Sequence, residues 1–494
     1  MLRSESCTSP ATVAITAVAM SMLHLWKGNA AAFTAPNPAL GKALARLQSA
    51  LSLQHHRVDL SSSSSSSSSR YSAVLASLAL QFYDDMLGQY DRARPLTMVH
   101  HKGAVGLLLA STARSTTTTT NRRGGVAIET EVQDRTLRAR LLKNMLHLEI
   151  IYGLRTGSAI SPRLTELLAW HDGGDAKHHS GYGSDVDHKP ADQLDRMGLE
   201  VVNLNHLFCS GLEDYSLEQV ADLDRRLSAW PSQIPRCWHP IVVAVNDEPS
   251  TSTIPVPSLV QTYSALGSYQ VYPSVQLASI WNIWRLERLV LLRMKVAAAA
   301  KSTVPLLGSI HHEEAPHCNR FASTTGTSTS TAAPPLLDDV PTLRHQVQHM
   351  VDEICQSVPF HLGNRWKRGS LADFADKTIM QPSYRDFAIP THAPPPLPRI
   401  PPPPTSSSPS PSSGGSHGPG EQHDSLLTSS SSAEAQTGHI IAQGPWHMRR
   451  TLGLLLGMLF RQRDGGELVA CLREGQVAWM REQFVRTGVL LGID

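Results

Sequence analysis

The segment from Gln276 to Ala300 sets the strictest condition on the fold. Leu277, Ile280, Trp281, Ile283, Trp284, Leu286, Leu289, Val290, Leu291 and Leu292 leave almost no polar side to a helix drawn through them. A helix that is apolar nearly all round belongs in the middle of a bundle, because any side left in water would be a broad hydrophobic patch.

Other segments supply the surround. Tyr71 to Leu87 places Val74, Leu75, Leu78 and Phe82 on one helical face. His100, Gly103, Ala104, Leu107 and Leu108 follow the i, i+3, i+4, i+7, i+8 template of an amphipathic helix. Gly103 in such a helix costs about 1 kcal/mol relative to alanine, and a residue that small is expected to admit a close neighbour. Leu137 to Leu154 is a further amphipathic block with Leu137, Leu141, Leu148 and Ile151 as its buried stripe, stopping near Gly157 with Pro162 beyond. Leu194 to Phe208 and Ser216 to Trp230 form the next pair, and Ser216 with Gln219 reads as a capping box. Val340 to Val358, Trp446 to Arg463 and Glu467 to Leu491 complete the set, while Pro240 to Val245 is the single strand candidate. The expected fold class is all-α: an array of about ten to twelve helices.

Low-complexity inserts cut this pattern into blocks. They include the serine run Ser61–Ser69, the threonine run Thr116–Thr120, a His/Gly/Asp-rich stretch from His171 to Lys189, the Ser/Thr tract Ser323–Thr331, and a stretch containing Pro394 to Pro396 and Pro401 to Pro404. Charged residues are only 17% of the chain, against about 25% in a typical soluble protein. Tracts of this composition bury too little apolar surface to offset chain entropy, so disordered insertions in surface loops are expected. The division that follows is N-terminal helices at 1–54, a Ser-rich linker at 55–70, a helical region at 71–390 with loops at about 171–192 and 301–336, a Pro/Ser-rich insertion at 391–438, and C-terminal helices at 439–494.

Charge and motif content narrow the chemistry. Lys plus Arg is 44 against 42 Asp plus Glu, a formal net charge of +2, which gives the whole chain no electrostatic footprint for nucleic acid. The six cysteines are scattered, with no Cys-x-x-Cys pair, so neither a zinc cluster nor a redox motif can be read. The histidines and acids at His311 to Cys318 and at His171 to His188 are ligand-type residues in loops without rigid geometry, and no metal site is expected from them. No Gly-x-Ser-x-Gly, phosphate-cradling or dinucleotide-binding glycine pattern, or His-Glu-x-x-His motif occurs, so no catalytic residue and no cofactor are expected. Arg3, the apolar run Ala11 to Trp26 and Ala30 to Ala32 imitate a signal peptide. Polar Thr12, Thr16, Ser21 and His24 interrupt that run, which favours a first scaffold helix. No stretch reaches the roughly 20 apolar residues of a membrane span.

Four side chains in the central segment are candidates for a ligand site. Arg285 and Arg288 stand at i, i+3 in apolar surroundings, where an unpaired guanidinium would cost several kcal/mol. They would either hold the carboxylate or phosphate of an effector or join an internal network with Asn282. Trp281 and Trp284 would line the same cavity or pack as core. Asp352 and Glu353, adjacent on a helix, point to different faces; they are expected to pair with arginines such as Arg285 or to cap a helix, not to act together as acid and base.

Five segments taken in order carry a resemblance. They are His100-His101-Lys102-Gly103-Ala104 with Leu107 and Leu108; Leu223 to Leu227 with Trp230, Pro235 and Trp238; Tyr272 followed by Ala278, Trp281-Asn282, Arg285 and Arg288; Asp352-Glu353 running to Pro359 and Leu362-Gly363; and Gln476, Trp479, Gly488 and Gly492-Ile493. Together they resemble the fungal-specific transcription factor domain, the regulatory region that follows the zinc cluster in fungal transcription factors. His100, Gly103, Ala104, Trp230, Trp238, Trp281, Asn282, Asp352, Glu353, Pro359 and Gly363 are the positions of the shared pattern. The resemblance implies a nuclear, signal-receiving domain acting on RNA polymerase II transcription, with partners in the transcription machinery and a small-molecule effector. The six-cysteine zinc cluster of that family is not in this sequence, where Cys7 is the one cysteine among the first 200 residues. Sequence-specific DNA binding is therefore not expected from the chain itself and would come from a zinc-cluster partner or an upstream exon. The alternative is a non-nuclear α-helical enzyme or binding protein, exported if residues 1–32 are a signal segment.

Overall fold

The computed structural model describes residues 9–27, 38–56, 67–90, 97–115, 125–175, 189–211, 215–245, 262–263, 266–303, 340–384, 427–460 and 465–493. Among these residues the fold is all-α apart from one small hairpin-like ribbon. The helices are α1 (Pro10–Trp26), α2 (Pro38–His56), α3 (Ser67–Tyr90), α4 (Val99–Ser115), α5 (Gly125–Thr156), α6 (Pro162–Asp175), α7 (Lys189–Ser210) and α8 (Leu217–Gln233). After strands β1 (Ile241–Ala244) and β2 (Ser268–Val271) come α9 (Val275–Thr303), α10 (Val340–Leu362), α11 (Leu427–Leu459), α12 (Gly465–Val469) and α13 (Gln476–Leu491). No described helix is long and apolar enough to cross a membrane.

The central position expected for the Gln276–Ala300 segment is the one observed. α9 packs against α7, α8, α10 and α11. Leu286, Leu289, Val290, Leu291, Leu292 and Met294 are each at most 1% exposed. Burying one such aliphatic side chain contributes roughly 1.5–3 kcal/mol, so this helix holds much of the driving force for collapse.

Local signals account for several element ends. Ser216 and Gln219 form the capping box: the Ser216 hydroxyl accepts from the Gln219 amide at 3.1 Å and the Gln219 side chain accepts from the Ser216 amide at 3.2 Å. Gly157 ends α5 with φ +74°, a left-handed conformation that glycine adopts without a Cβ penalty. The strand candidate Pro240–Val245 appears as β1, paired antiparallel with β2 in the register Ile241 to Val271. α1 packs on α2 and α3 through Ala14, Ala17, Ala43, Leu47, Ala73, Ala76 and Leu80. Ser21 of α1 is buried and returns its hydroxyl to the Ala17 carbonyl at 2.9 Å, so one of the polar interruptions of the run is absorbed inside the helix.

The structure corrects three details. Phe82 is 44% exposed; the inner face of α3 is instead Tyr71, Val74, Leu80, Tyr83 and Met86, a stripe that tolerates polar residues between its aromatics. Gly103 admits no close neighbour, because nothing lies within 4 Å of where its Cβ would be. The expected helix Glu467–Leu491 is two helices, α12 and α13, parted before Gly475 at φ +77°. The tracts Thr116–Thr120, Ser323–Thr331 and His311–Cys318, and the proline runs, lie outside the described residues. Part of the serine run does not, since α3 begins at Ser67, and α11 begins at Leu427, inside the stretch assigned to the Pro/Ser insertion.

Candidate functional site

α9 carries a layer of polar side chains through the middle of its apolar length, and the four candidate ligand residues stand in it. Arg285 has no exposure and four acceptors. Its Nε donates to Glu353 Oε2 at 3.0 Å, Nη1 to the Tyr272 hydroxyl and to Asn282 Oδ1, both at 2.8 Å, and Nη2 to Gln270 Oε1 at 2.8 Å. The expected pairing of Glu353 with Arg285 is therefore observed. Gln270 and Tyr272 reach the arginine from one side of the β2 segment because residues two apart in a strand face the same way. Tyr272 donates its hydroxyl back to Gln270, and Gln270 donates to Gln356 of α10 at 3.2 Å. Asn282 closes the layer with a 3.1 Å bond to Ser357 Oγ.

The charges respond to this setting. Burial pushes the Tyr272 hydroxyl up to about 12, with Arg285 opposing. Burial alone would lower Arg285, yet Tyr272 and Glu353 outweigh it and the guanidinium is held above its ordinary value. Tyr272 therefore stays neutral and Arg285 charged, and four of the five guanidinium N–H groups have an acceptor within the layer.

Arg288, one turn on, donates to Asp224 Oδ1 at 3.1 Å, and Lys295 donates to Asp224 Oδ2 at 2.7 Å. Trp281 and Trp284 lie edge-on, 5.4 Å between ring centroids, and both meet Trp230 of α8, at 5.6 and 6.3 Å. Each indole nitrogen has an acceptor: Trp281 the carbonyl of Trp238 at 2.9 Å, Trp284 that of Leu227 at 2.8 Å, and Trp230 that of Pro190 at 2.8 Å. The structure brings the four candidates together, and each donates to an acceptor of the chain itself.

The remaining pattern positions converge on the same region or brace it. Asp352 binds Arg473 Nη2 at 2.9 Å and Gln476 Nε2 at 2.8 Å, tying α10 to the start of α13. Pro359 is buried in the last turn of α10, and Gly363 just beyond has φ +57°. The Gly363 carbonyl accepts from Arg486 Nη2 at 2.6 Å. In α4, Ala104 is buried and His100 faces Asp84 at 3.5 Å. The adjacent His101 is wholly buried, its Nε2 3.2 Å from Glu149. Among the described residues no group of His, Cys, Asp and Glu is arranged to hold a metal ion.

A cavity lies apart from this layer, where α3, α5, α11 and α13 meet. It measures about 190 Å³. Met98, Ile151, Leu454 and Phe484 form apolar walls, and Asp85, Arg155 and Arg450 bring charge to it. None of Trp281, Trp284, Arg285 or Arg288 lines it. Burial raises the Asp85 carboxyl, opposed by its hydrogen bond from Gln81 (3.0 Å) and by Arg450 and Arg155. Burial lowers both arginines, with Asp85 opposing. Sequence reading passed over this site because its walls come from segments scattered between Asp85 and Phe484, and an arginine such as Arg155, in the last turn of α5, reads as ordinary solvent-facing charge. Comparison of the chain with family models, with curated proteins and with solved structures gives no match.

Proposed function

We propose that the chain is the regulatory, signal-receiving domain of a fungal transcription factor, acting in the nucleus on RNA polymerase II transcription and relying on a zinc-cluster partner for DNA contact. One observation carries the reading. Segments that resemble the fungal-specific transcription factor domain only as an ordered set, from Trp230 to Gln476, meet in space. Trp230 and Trp238 hold Trp281; Tyr272, Asn282 and Glu353 hold Arg285; Gln476 holds Asp352. Residues that make one pattern in sequence and hold one another in the fold serve a common scaffold, and a scaffold with a rigid centre suits a domain that transmits a bias between alternative helix packings.

The reading is tested by fusing the full chain to an unrelated DNA-binding domain in a fungal cell that carries a matching reporter gene. The expected result is reporter transcription that departs severalfold, up or down, from that given by the DNA-binding domain alone. An intact, nuclear fusion that leaves the reporter unchanged contradicts the proposal.

A further inference from the structure

We infer that the cavity between α3, α5, α11 and α13 is a binding site for a small amphipathic monocarboxylate, whose acid group pairs with Arg450 and whose apolar part lies against Ile151, Leu454 and Phe484. As an effector site it rests on the regulatory reading above; as a binding site it stands on its own geometry.

The first support is the state of Arg450. Arg450 lines the cavity, and its guanidinium forms no hydrogen bond or close ion pair with any described residue, Asp85 acting on it only through space. The neighbouring arginine of the same helix is differently placed: Arg449 donates to the Phe484 carbonyl at 3.3 Å and stacks 4.4 Å over the Phe484 ring. Arg285, Arg288, Arg293 and Arg486 likewise all have protein acceptors. A fold that pairs these arginines yet leaves Arg450 at the cavity without a protein acceptor offers a planar donor fork for which a carboxylate is the matching acceptor.

The second support is size and wall chemistry. An apolar cavity of about 150 Å³ accepts benzene, so about 190 Å³ has room for one ring or a short alkyl chain plus an acid group. Asp85, which lines the same cavity and interacts with Arg450 and Arg155 through space, supplies a carboxyl that repels a second negative charge. A monoanion is therefore preferred over a phosphate ester, which carries close to two charges at neutral pH.

The test uses the purified full chain and measures binding by calorimetry and by thermal shift. The probes are benzoate, hexanoate, the neutral isostere benzamide, and phenyl phosphate. Benzoate or hexanoate is expected to bind and to raise the melting temperature in a dose-dependent way, with benzamide and phenyl phosphate at least about tenfold weaker. Arg450→Gln, with its helical circular dichroism intact, is expected to weaken the acid by a similar factor. The acid–amide comparison on the unaltered chain decides the matter even if that variant does not fold. Absence of binding by both acids, equal binding of benzamide, or tighter binding of phenyl phosphate overturns the inference. Acid binding in a chain that leaves the reporter unchanged would keep the site and remove the regulatory reading; the reverse result would remove the site alone.

Discussion

Gly103 stands in α4 with open space where a side chain would begin. Backbone entropy is then the main consequence of the glycine, and Gly103→Ala is expected to stabilise the fold by about 1 kcal/mol in chemical denaturation. His361 is the opposite case. It is fully buried at the end of α10, and neither ring nitrogen has a partner among the described residues. Burial, then His447 and Arg285, pull its pKa down to about 3. The unfolded chain binds this proton below about pH 6.5 and the folded chain does not, so stability falls as pH drops from about 6.5 towards 3, by about 1.4 kcal/mol per unit. In His361→Leu the loss of unfolding free energy between pH 7 and pH 5 should be smaller by about 2 kcal/mol. An unchanged pH dependence would mean that this histidine reaches solvent or a partner in the folded chain.

At the scale of elements, α9 is where local pattern and tertiary packing agree. Trp281→Ala should cost about 3–5 kcal/mol, since the indole is packed between Trp230 and Trp284 and bonded to the Trp238 carbonyl. Phe82→Ala should shift stability by no more than about 0.5 kcal/mol, since that ring is 44% exposed. The melting curves of the two variants, side by side, check both. This contrast also marks what was legible in the sequence. Where nearly every position is apolar, as in α9, the inner face cannot be misassigned; where aromatics occupy both faces, as in α3, period alone placed Phe82 inwards although Tyr83 and Met86 are the buried residues. Capping chemistry read well at Ser216 because donor and acceptor are three residues apart. The partner strand β2 went unread because Ser268-Tyr269-Gln270-Val271 owes its burial to α10, not to an apolar run. The pairing of Glu353 with Arg285 was readable as chemistry, since a buried guanidinium demands a carboxylate. The Asp85, Arg155 and Arg450 cavity was not, because nothing in a linear pattern brings α3, α5 and α11 together.

Across the whole molecule the dispersed apolar stripes collapse onto one scaffold around α9, with the Arg285 layer as its fixed centre. Regions that open only by global unfolding exchange their amide hydrogens last, while peripheral helices open locally and exchange sooner. Hydrogen exchange of the full chain, resolved by residue or short peptide, therefore measures which element lies at the centre. The expected result is that residues 281–292 of α9 and the facing turns of α10 retain deuterium label longest, with protection matching the global unfolding free energy, while α1 and α2 exchange sooner. Exchange of residues 281–292 as fast as that of α1 and α2 would contradict the placement of α9 at the centre, and with it the scaffold on which the regulatory reading stands.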